Sequence, residues 1–294
     1  MSLPIYNQNL GIIGILAQSA PQEYTDCITF TGETSDFTLK AKYKEWNGTV
    51  EYSTDHNTWT EWDGSEISSS EQKLYLRGSG NGTFWMGNGA YLSLSERAAC
   101  SGNIQTLLEY SNPPASISTI NCYRNMFYGC TNLTTAPELP ATTLEEFCYS
   151  GMFDGCTSLT KAPNLPATTL AYNCYSGMFH GCTNLTKAPE LPATTLAGNC
   201  YYGMFRGCTS LTKAPNLPAT TLKKSCYASM FDGCTSLKIS SVQSDRYPTA
   251  WRIPSSGTIS SEATSWNTDM LLGTGGTFTS NPSINTTYYG AWTK

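Results

Sequence analysis

Charge is scarce in this 294-residue sequence: Asp, Glu, Lys and Arg make up 13% of it, about half the usual share. The surface must therefore be covered largely by Thr, Ser, Asn, Gly and Tyr. No basic cluster exceeds Lys223-Lys224 and the formal net charge is −5. A phosphate-tracking surface needs concentrated Lys and Arg, so nucleic acid is not an expected partner. Histidine occurs only at His56 and His180, too few for most Ser-His or Cys-His schemes. No glycine-rich phosphate loop with a downstream Lys is present, and Gly273 to Gly276 reads as a turn. No carboxylate pair stands out for hydrolysis. The expectation is a non-enzyme without cofactor. No run of 18 apolar residues exists, so no membrane span is expected. Leu10 to Ala17 (LGIIGILA) looks like the end of an export signal, but the first basic residue is Lys40, so the positive leader region is missing.

What the sequence has in abundance is repetition. Cysteines fall at 122, 148, 174, 200 and 226, and again at 130, 156, 182, 208 and 234, each series at a spacing of 26. Around them the unit reads C-Y-x-x-M-F-x-G-C-T-x-L-T-x-A-P-x-L-P-A-T-T-L-x-x-x, in four full copies and one truncated copy over residues 122–238. One unit cannot bury its apolar face alone, whereas stacked neighbours create a continuous core. Leu144, Cys148 and Met152 lie at i, i+4, i+8 and predict one face of a short helix. Thr143 would cap it, Glu146 would complete a capping box, and Gly155 would end it. Leu159, Ala162 and Leu165 then turn inward from an extended segment in which Pro163 cannot donate to a ladder.

The flanks divide into four parts. Residues 1–21 form a docking segment, with Leu10, Ile12, Ile13, Ile15 and Leu16 as apolar anchors for another subunit; docking onto the chain's own β-module is the alternative. Residues 22–86 read as a small all-β sandwich, Ig-like or jelly-roll-like, with strands at Ile28 to Thr31, Phe37 to Tyr43, Val50 to Ser53 and Lys73 to Arg77. Trp46, Trp59 and Trp62 would fill its core. Residues 87–121 and 239–294 read as the two caps. In the second, Met270 to Tyr289 echoes Met152 to Leu170, with Gly273 in place of Gly155 and both cysteines absent.

The 26-residue unit closely resembles the cysteine-containing leucine-rich repeats of the BspA-like group, found in surface proteins of gut bacteria and in phages that infect them. EYSTDHNTWTEW (residues 51–62) and LYLRG (residues 74–78) resemble the β-module that often precedes those repeats, and Arg252 through Gly290 resembles their terminal segment. The resemblance implies a mixed α/β solenoid, leucine-rich-repeat-like, behind the small sandwich. It also implies adhesion or display at a cell or virion surface, and it implies no shared catalytic motif.

Three rows of residues are candidates for function. The cysteines are too widely spaced for metal. Coils about 8–10 Å apart would be too far for bridges, so buried free thiols fit best, with Cys27 and Cys100 outside the register. Tyr123, Tyr149, Tyr175, Tyr201 and Tyr227 could stack on sugar rings, but packing on one another with hydroxyls at the surface is favoured. Lys161, Lys187 and Lys213, with Glu138 and Glu190 alternating with Asn164 and Asn216, could face a repetitive anionic glycan or a host-surface protein, or simply be solvated. Among the copies the most varied positions are Tyr128, Asp154, His180, Arg206 and Asp232, with those that follow each ATTL; they read as tuned contacts or as an unconstrained outer surface, and drift is the favoured cause. The sequence thus predicts a phage virion structural or attachment protein, a fibre or capsid decoration. It would be homo-oligomeric and held to other virion proteins through its N-terminal segment. The alternative is a bacterial cell-surface adhesin, which would need export; a carbohydrate-active enzyme is a distant third.

Overall fold

The structure is a computed structural model that describes residues 27–43, 46–84, 91–253, 258–259, 261 and 263–293. The anchors Leu10, Ile12, Ile13, Ile15 and Leu16 lie outside the described residues.

Alternation of apolar and polar residues builds the first part. Its strands are β1 (Ile28–Gly32), β2 (Thr38–Ala41), β3 (Thr49–Ser53), β4 (Thr60–Glu61), β5 (Ile67–Ser68), β6 (Lys73–Ser79), β7 (Leu92–Leu94) and β8 (Ala98–Ser101). Every second residue of β1 and β6 is buried, as a pleated strand with one covered face requires. With β9 (Leu133–Thr135) they form a six-stranded sheet of order β4-β3-β6-β1-β8-β9 and a three-stranded sheet of order β5-β2-β7. The pairing of β8 with β9 is parallel, and it joins this part to the first repeat. Trp46 stacks on Trp62 at 5.3 Å and on Phe84 at 5.4 Å. Trp59 is not in that core. It is half-buried, and its ring carries the Arg77 guanidinium at 4.0 Å.

The repeats correct the expected fold. A leucine-rich-repeat solenoid carries a strand and a helix or 3₁₀ turn in every unit. Among the described residues there is no α-helix, and the one helical element is a 3₁₀ turn at Ile104–Leu107, before the repeats begin. Nor does a continuous sheet follow the repeats, because the strands fall into separate sheets of six, three, three and two. The mixed α/β solenoid is therefore not the fold of this chain. The physical reason lies in backbone conformation. Left-handed residues recur every fourth position through the segment expected to be helical, as at Asn173 (φ 57°), Gly177 (φ 60°) and Gly181 (φ 68°), or Asn199 (φ 55°), Gly203 (φ 58°) and Gly207 (φ 71°). A right-handed helix cannot pass through such residues. Each one reverses a peptide, so that alternate amides point out of the turn.

Those amides hold the stack together. Gly151, Phe153 and Gly155 donate to the carbonyls of Ser176, Met178 and His180 at 2.8, 2.9 and 2.7 Å, and Gly177, Phe179 and Gly181 repeat this to Tyr202, Met204 and Arg206 at 2.8, 2.9 and 2.7 Å. The intervening amides close turns within the copy, as Met152 to Tyr149 at 3.2 Å and Cys156 to Phe153 at 3.0 Å. Each inter-copy bond contributes about 1 kcal/mol net.

Identical side chains then fall into columns. Tyr123, Tyr149, Tyr175, Tyr201 and Tyr227 stack at 5.7–6.1 Å. Phe127, Phe153, Phe179, Phe205 and Phe231 stack at 5.5–5.7 Å. Both columns are closed by aromatic residues from the flanks. Phe84 covers Tyr123 at 6.1 Å and Trp266 covers Tyr227 at 6.4 Å. Phe30 covers Phe127 at 6.4 Å and Trp251 covers Phe231 at 6.2 Å.

The far end is built from β10 (Thr221–Leu222), β11 (Ile239–Ser240), β12 (Thr249–Arg252), β13 (Thr258–Ile259) and β14 (Thr287–Gly290). β10 pairs with β13 in parallel, and β14 lies between β11 and β12. Residues 264–273 continue the ladder as a final coil, with Phe231 and Gly233 donating to Met270 and Leu272 at 3.0 and 2.7 Å.

All twelve cysteines are buried and unbridged, but the coil-spacing argument for free thiols does not hold. Hydrogen-bonded coils come closer than packed helices, as the 5.5–5.7 Å spacing of the Phe column shows. Equivalent Cβ vectors in such a stack run parallel and do not converge as a bridge requires. In the second series the thiol is also engaged: Cys156, Cys182, Cys208 and Cys234 donate to the carbonyls of Phe127, Phe153, Phe179 and Phe205 at 3.0–3.1 Å.

Candidate functional site

The three lysines stand where an unpaired row would be. Lys161, Lys187 and Lys213 are exposed, as are Glu138 and Glu190. Among the described residues none of these lysines forms an ion pair. A cleft of about 650 Å³ opens where β8 meets the first two copies. It brings Glu138 and Lys161 together, with Asn164, over a lining that includes Pro137, Pro140, Pro163 and Pro166. Lys187, Lys213 and Glu190 are not part of that cleft.

Local sequence explains its shape. Pairing here is sparse, as in the isolated bridges of Thr135 with Lys161 between copies and of Asn103 with Glu138 at the start of the array. Proline supplies no amide, so the pairing cannot extend into a sheet. The cleft offers carbonyls, one ammonium and one carboxylate over an apolar lining, and no aromatic ring lines it. It can accept an extended polar chain by charge and shape, and it holds no nucleophile paired with a base.

The tyrosine column does not reach the surface. Tyr149 and Tyr175 are buried, and their hydroxyls are buried without a hydrogen-bond partner among the described residues. The Tyr123 hydroxyl lies 2.9 Å from Gln105 Oε1 and 3.0 Å from the Ile104 carbonyl. Expecting the ring-on-ring packing was correct and expecting surface hydroxyls was not. Desolvation raises these phenols far above their usual range. It also pushes the thiols of Cys130 and Cys174 up to about 12 and that of Cys148 to about 11. Thiols held neutral are inert as nucleophiles and as metal ligands.

Sequence reasoning missed one grouping and, in a second that it had singled out, missed the pairing. His56, itself in a left-handed conformation (φ 62°), sits with Nε2 3.5 Å from the Cys27 sulfur and packs against Trp59 and Tyr75. Nothing in the spacing of Cys27 and His56 signals this contact, which comes from strand pairing across the sheet. The second grouping carried a signal. The varied positions form a row along the turn segments, with His180 Nδ1 2.8 Å from Asp154 Oδ1 and Arg206 Nε 2.9 Å from Asp232 Oδ2. The hydrogen bond to Asp154 raises the His180 pKa above its usual value, against partial burial and the Arg206 charge. Variation between otherwise identical copies was the available clue.

Among the described residues no helix is long and apolar enough to cross a membrane, and no group of three or more His, Cys, Asp or Glu is placed to hold a metal ion. Comparison with family models, with curated proteins and with solved structures returns no match.

Proposed function

We propose that this chain is a non-enzymatic attachment and display protein of a bacteriophage virion, a fibre or capsid decoration, whose stacked repeats meet the host surface or its glycans. The observation that carries this reading is the fixed register of the copies. Hydrogen bonds of 2.7–2.9 Å tie each turn to the next, so exposed residues such as Lys161, Lys187 and Lys213 recur along one rigid face. Rigid, repeated display suits multivalent contact with a repetitive ligand. The resemblance of the repeats to those of the BspA-like surface and phage proteins supports the same reading.

Attachment to the particle is assigned to the apolar anchors Leu10, Ile12, Ile13, Ile15 and Leu16. Both aromatic columns are closed within the chain by Phe84, Phe30, Trp266 and Trp251. A homo-oligomer would therefore assemble side by side and not by end-to-end stacking. The test is peptide mass spectrometry on purified virions, with host adsorption measured before and after deletion of residues 1–21. Recovery of the chain from particles, and its loss on deletion, supports the proposal. Recovery from the bacterial envelope alone favours the adhesin, and absence from both overturns attachment.

A further inference from the structure

A shallow groove of about 270 Å³ runs along the turn segments across the first four copies. Its floor is Asn125, Gly151, Gly177 and Gly203, four equivalent positions of which three lack a side chain. One rim is the row Arg124, Ser150, Ser176 and Tyr202, and the other is Asp154, His180 and Arg206. The groove is thus lined by positions at which the copies differ, in contrast to the repeated Pro and Ala of the larger cleft.

The floor has no backbone left to offer. The amides of Asn125, Gly151, Gly177 and Gly203 donate to the carbonyls of Ser150, Ser176, Tyr202 and Ala228 at 2.8–2.9 Å. A peptide cannot add here as a further strand, because strand addition needs a free edge. Recognition falls to guanidinium, imidazole, carboxylate and hydroxyl groups and to the exposed ring of Tyr202. Planar polar groups beside an exposed aromatic face are suited to sugar hydroxyls and the apolar faces of pyranose rings. The charges add a sign. Asp154 is paired with His180, and Arg206 with Asp232 behind it. Arg124 lies over the Phe147 ring at 5.2 Å and bonds to Asn121 Oδ1 at 3.2 Å, with no carboxylate partner among the described residues. The groove therefore holds one guanidinium, that of Arg124, open to an acidic ligand.

We infer that this groove binds a linear acidic polysaccharide laid along the stack, with one sugar residue against each copy. The bonded floor favours a sugar over a peptide, and the spacing suits a sugar. The stacked rings recur every 5.5–6.1 Å, close to the advance of one residue in an extended β-1,4-linked pyranose chain. Two residues of an extended or polyproline peptide advance about 6.2–6.6 Å, so it is the bonded floor, with no free edge for strand addition, that disfavours a peptide. The contacts of Asp154 with His180 and of Arg206 with Asp232 fix the rim before binding, which lowers the ordering cost of contact. The inference rests on reading the chain as an attachment protein and assigns that contact to one face.

Titration calorimetry on the full chain tests it with three probes: oligomannuronate, a cello-oligosaccharide of equal length, and poly-L-glutamate. The acidic sugar should bind, with the neutral sugar and the acidic peptide each weaker by about tenfold or more. Arg124→Ser and Tyr202→Ser each install the residue that other copies carry at that position, so melting should not change. Each should weaken oligomannuronate binding by about tenfold. Absence of oligomannuronate binding, equal binding of poly-L-glutamate, or full affinity in both variants overturns the inference. If the variants adsorb to host cells as well as the parent does, the groove assignment fails while attachment stands. Oligomannuronate binding without any adsorption leaves the groove standing and removes attachment.

Discussion

The β-strand part and the repeat array bury apolar residues equally well but follow different rules. In β1 and β6 the alternation of burial reports the backbone directly, and the strands expected at residues 28–31 and 73–77 appear as Ile28–Gly32 and Lys73–Ser79. In the array the i, i+4, i+8 spacing of Leu144, Cys148 and Met152 also marks buried positions, yet no helix forms. A sheet segment gains its hydrogen bonds only if it is extended, so its period and its conformation agree. A coil in a stack obtains its partners from the next copy. Its period then reports which residues face inward and leaves the backbone free to follow another path.

The largest effect should come from breaking a column. Phe179 is fully buried between Phe153 at 5.6 Å and Phe205 at 5.7 Å. Phe179→Ala should lower stability by about 3–5 kcal/mol, the range for emptying a packed aromatic site. Trp59→Ala in the β-strand part should cost less, because that ring is half-buried beside Arg77. Urea denaturation of both variants measures this, and an equal or reversed order would show that the column is not the stabilising core.

Gly177 gives a test in which the sign alone decides. An added Cβ meets nothing within 4 Å there, but φ is +60°. In a helix interior, Gly177→Ala would stabilise by about 0.5–1 kcal/mol. In the turn observed it should destabilise by about 1–2 kcal/mol, the cost of a left-handed conformation for a residue with a side chain. A rise in melting temperature would restore the helical reading.

The sequence carried the signal that was misread. Asn173, Gly177 and Gly181 recur at four-residue intervals, and Asn and Gly are the residues that tolerate positive φ. The last glycine alone reads as a stop signal, because helix endings are the commonest reason for one. The copy boundaries, the buried cysteines and the ring-on-ring tyrosine column were legible, since they follow from repetition and apolarity. Contacts such as that of Cys27 with His56, 3.5 Å apart, depend on which strands pair, and local sequence does not encode that. Of the lysine row, Lys161 lines the cleft beside β8 and Lys187 and Lys213 do not, because that cleft depends on where β8 ends against the first copies.

Cys182→Ala should have a smaller effect. It removes the thiol that donates to the Phe153 carbonyl at 3.1 Å and leaves a small void, for about 1–2 kcal/mol in all. Cys174→Ala, at an equally buried site whose thiol donates to no carbonyl among the described residues, provides the comparison. Equal losses would mean that the thiol contributes bulk alone.

The smallest effect is expected from the Asp154–His180 pair, and its sign follows from linkage. The hydrogen bond to Asp154 raises the folded-state pKa of His180 above its usual 6.5, opposed by partial burial and the Arg206 charge and aided by Asp232. A raised histidine pKa means that protonation favours the folded state. The contribution is fully present below the unfolded value near 6.5 and is lost as pH rises through the folded value. Because the His180 side chain is 44% exposed, solvent screening limits the contribution to under about 1 kcal/mol. The wild-type chain should therefore exceed His180→Asn in melting temperature at pH 5.5 by more than at pH 8.5. Each pair of melts must share one buffer and salt concentration, because screening weakens an exposed pair. A gap that widens toward pH 8.5 would mean that burial and the Arg206 charge outweigh the hydrogen bond to Asp154.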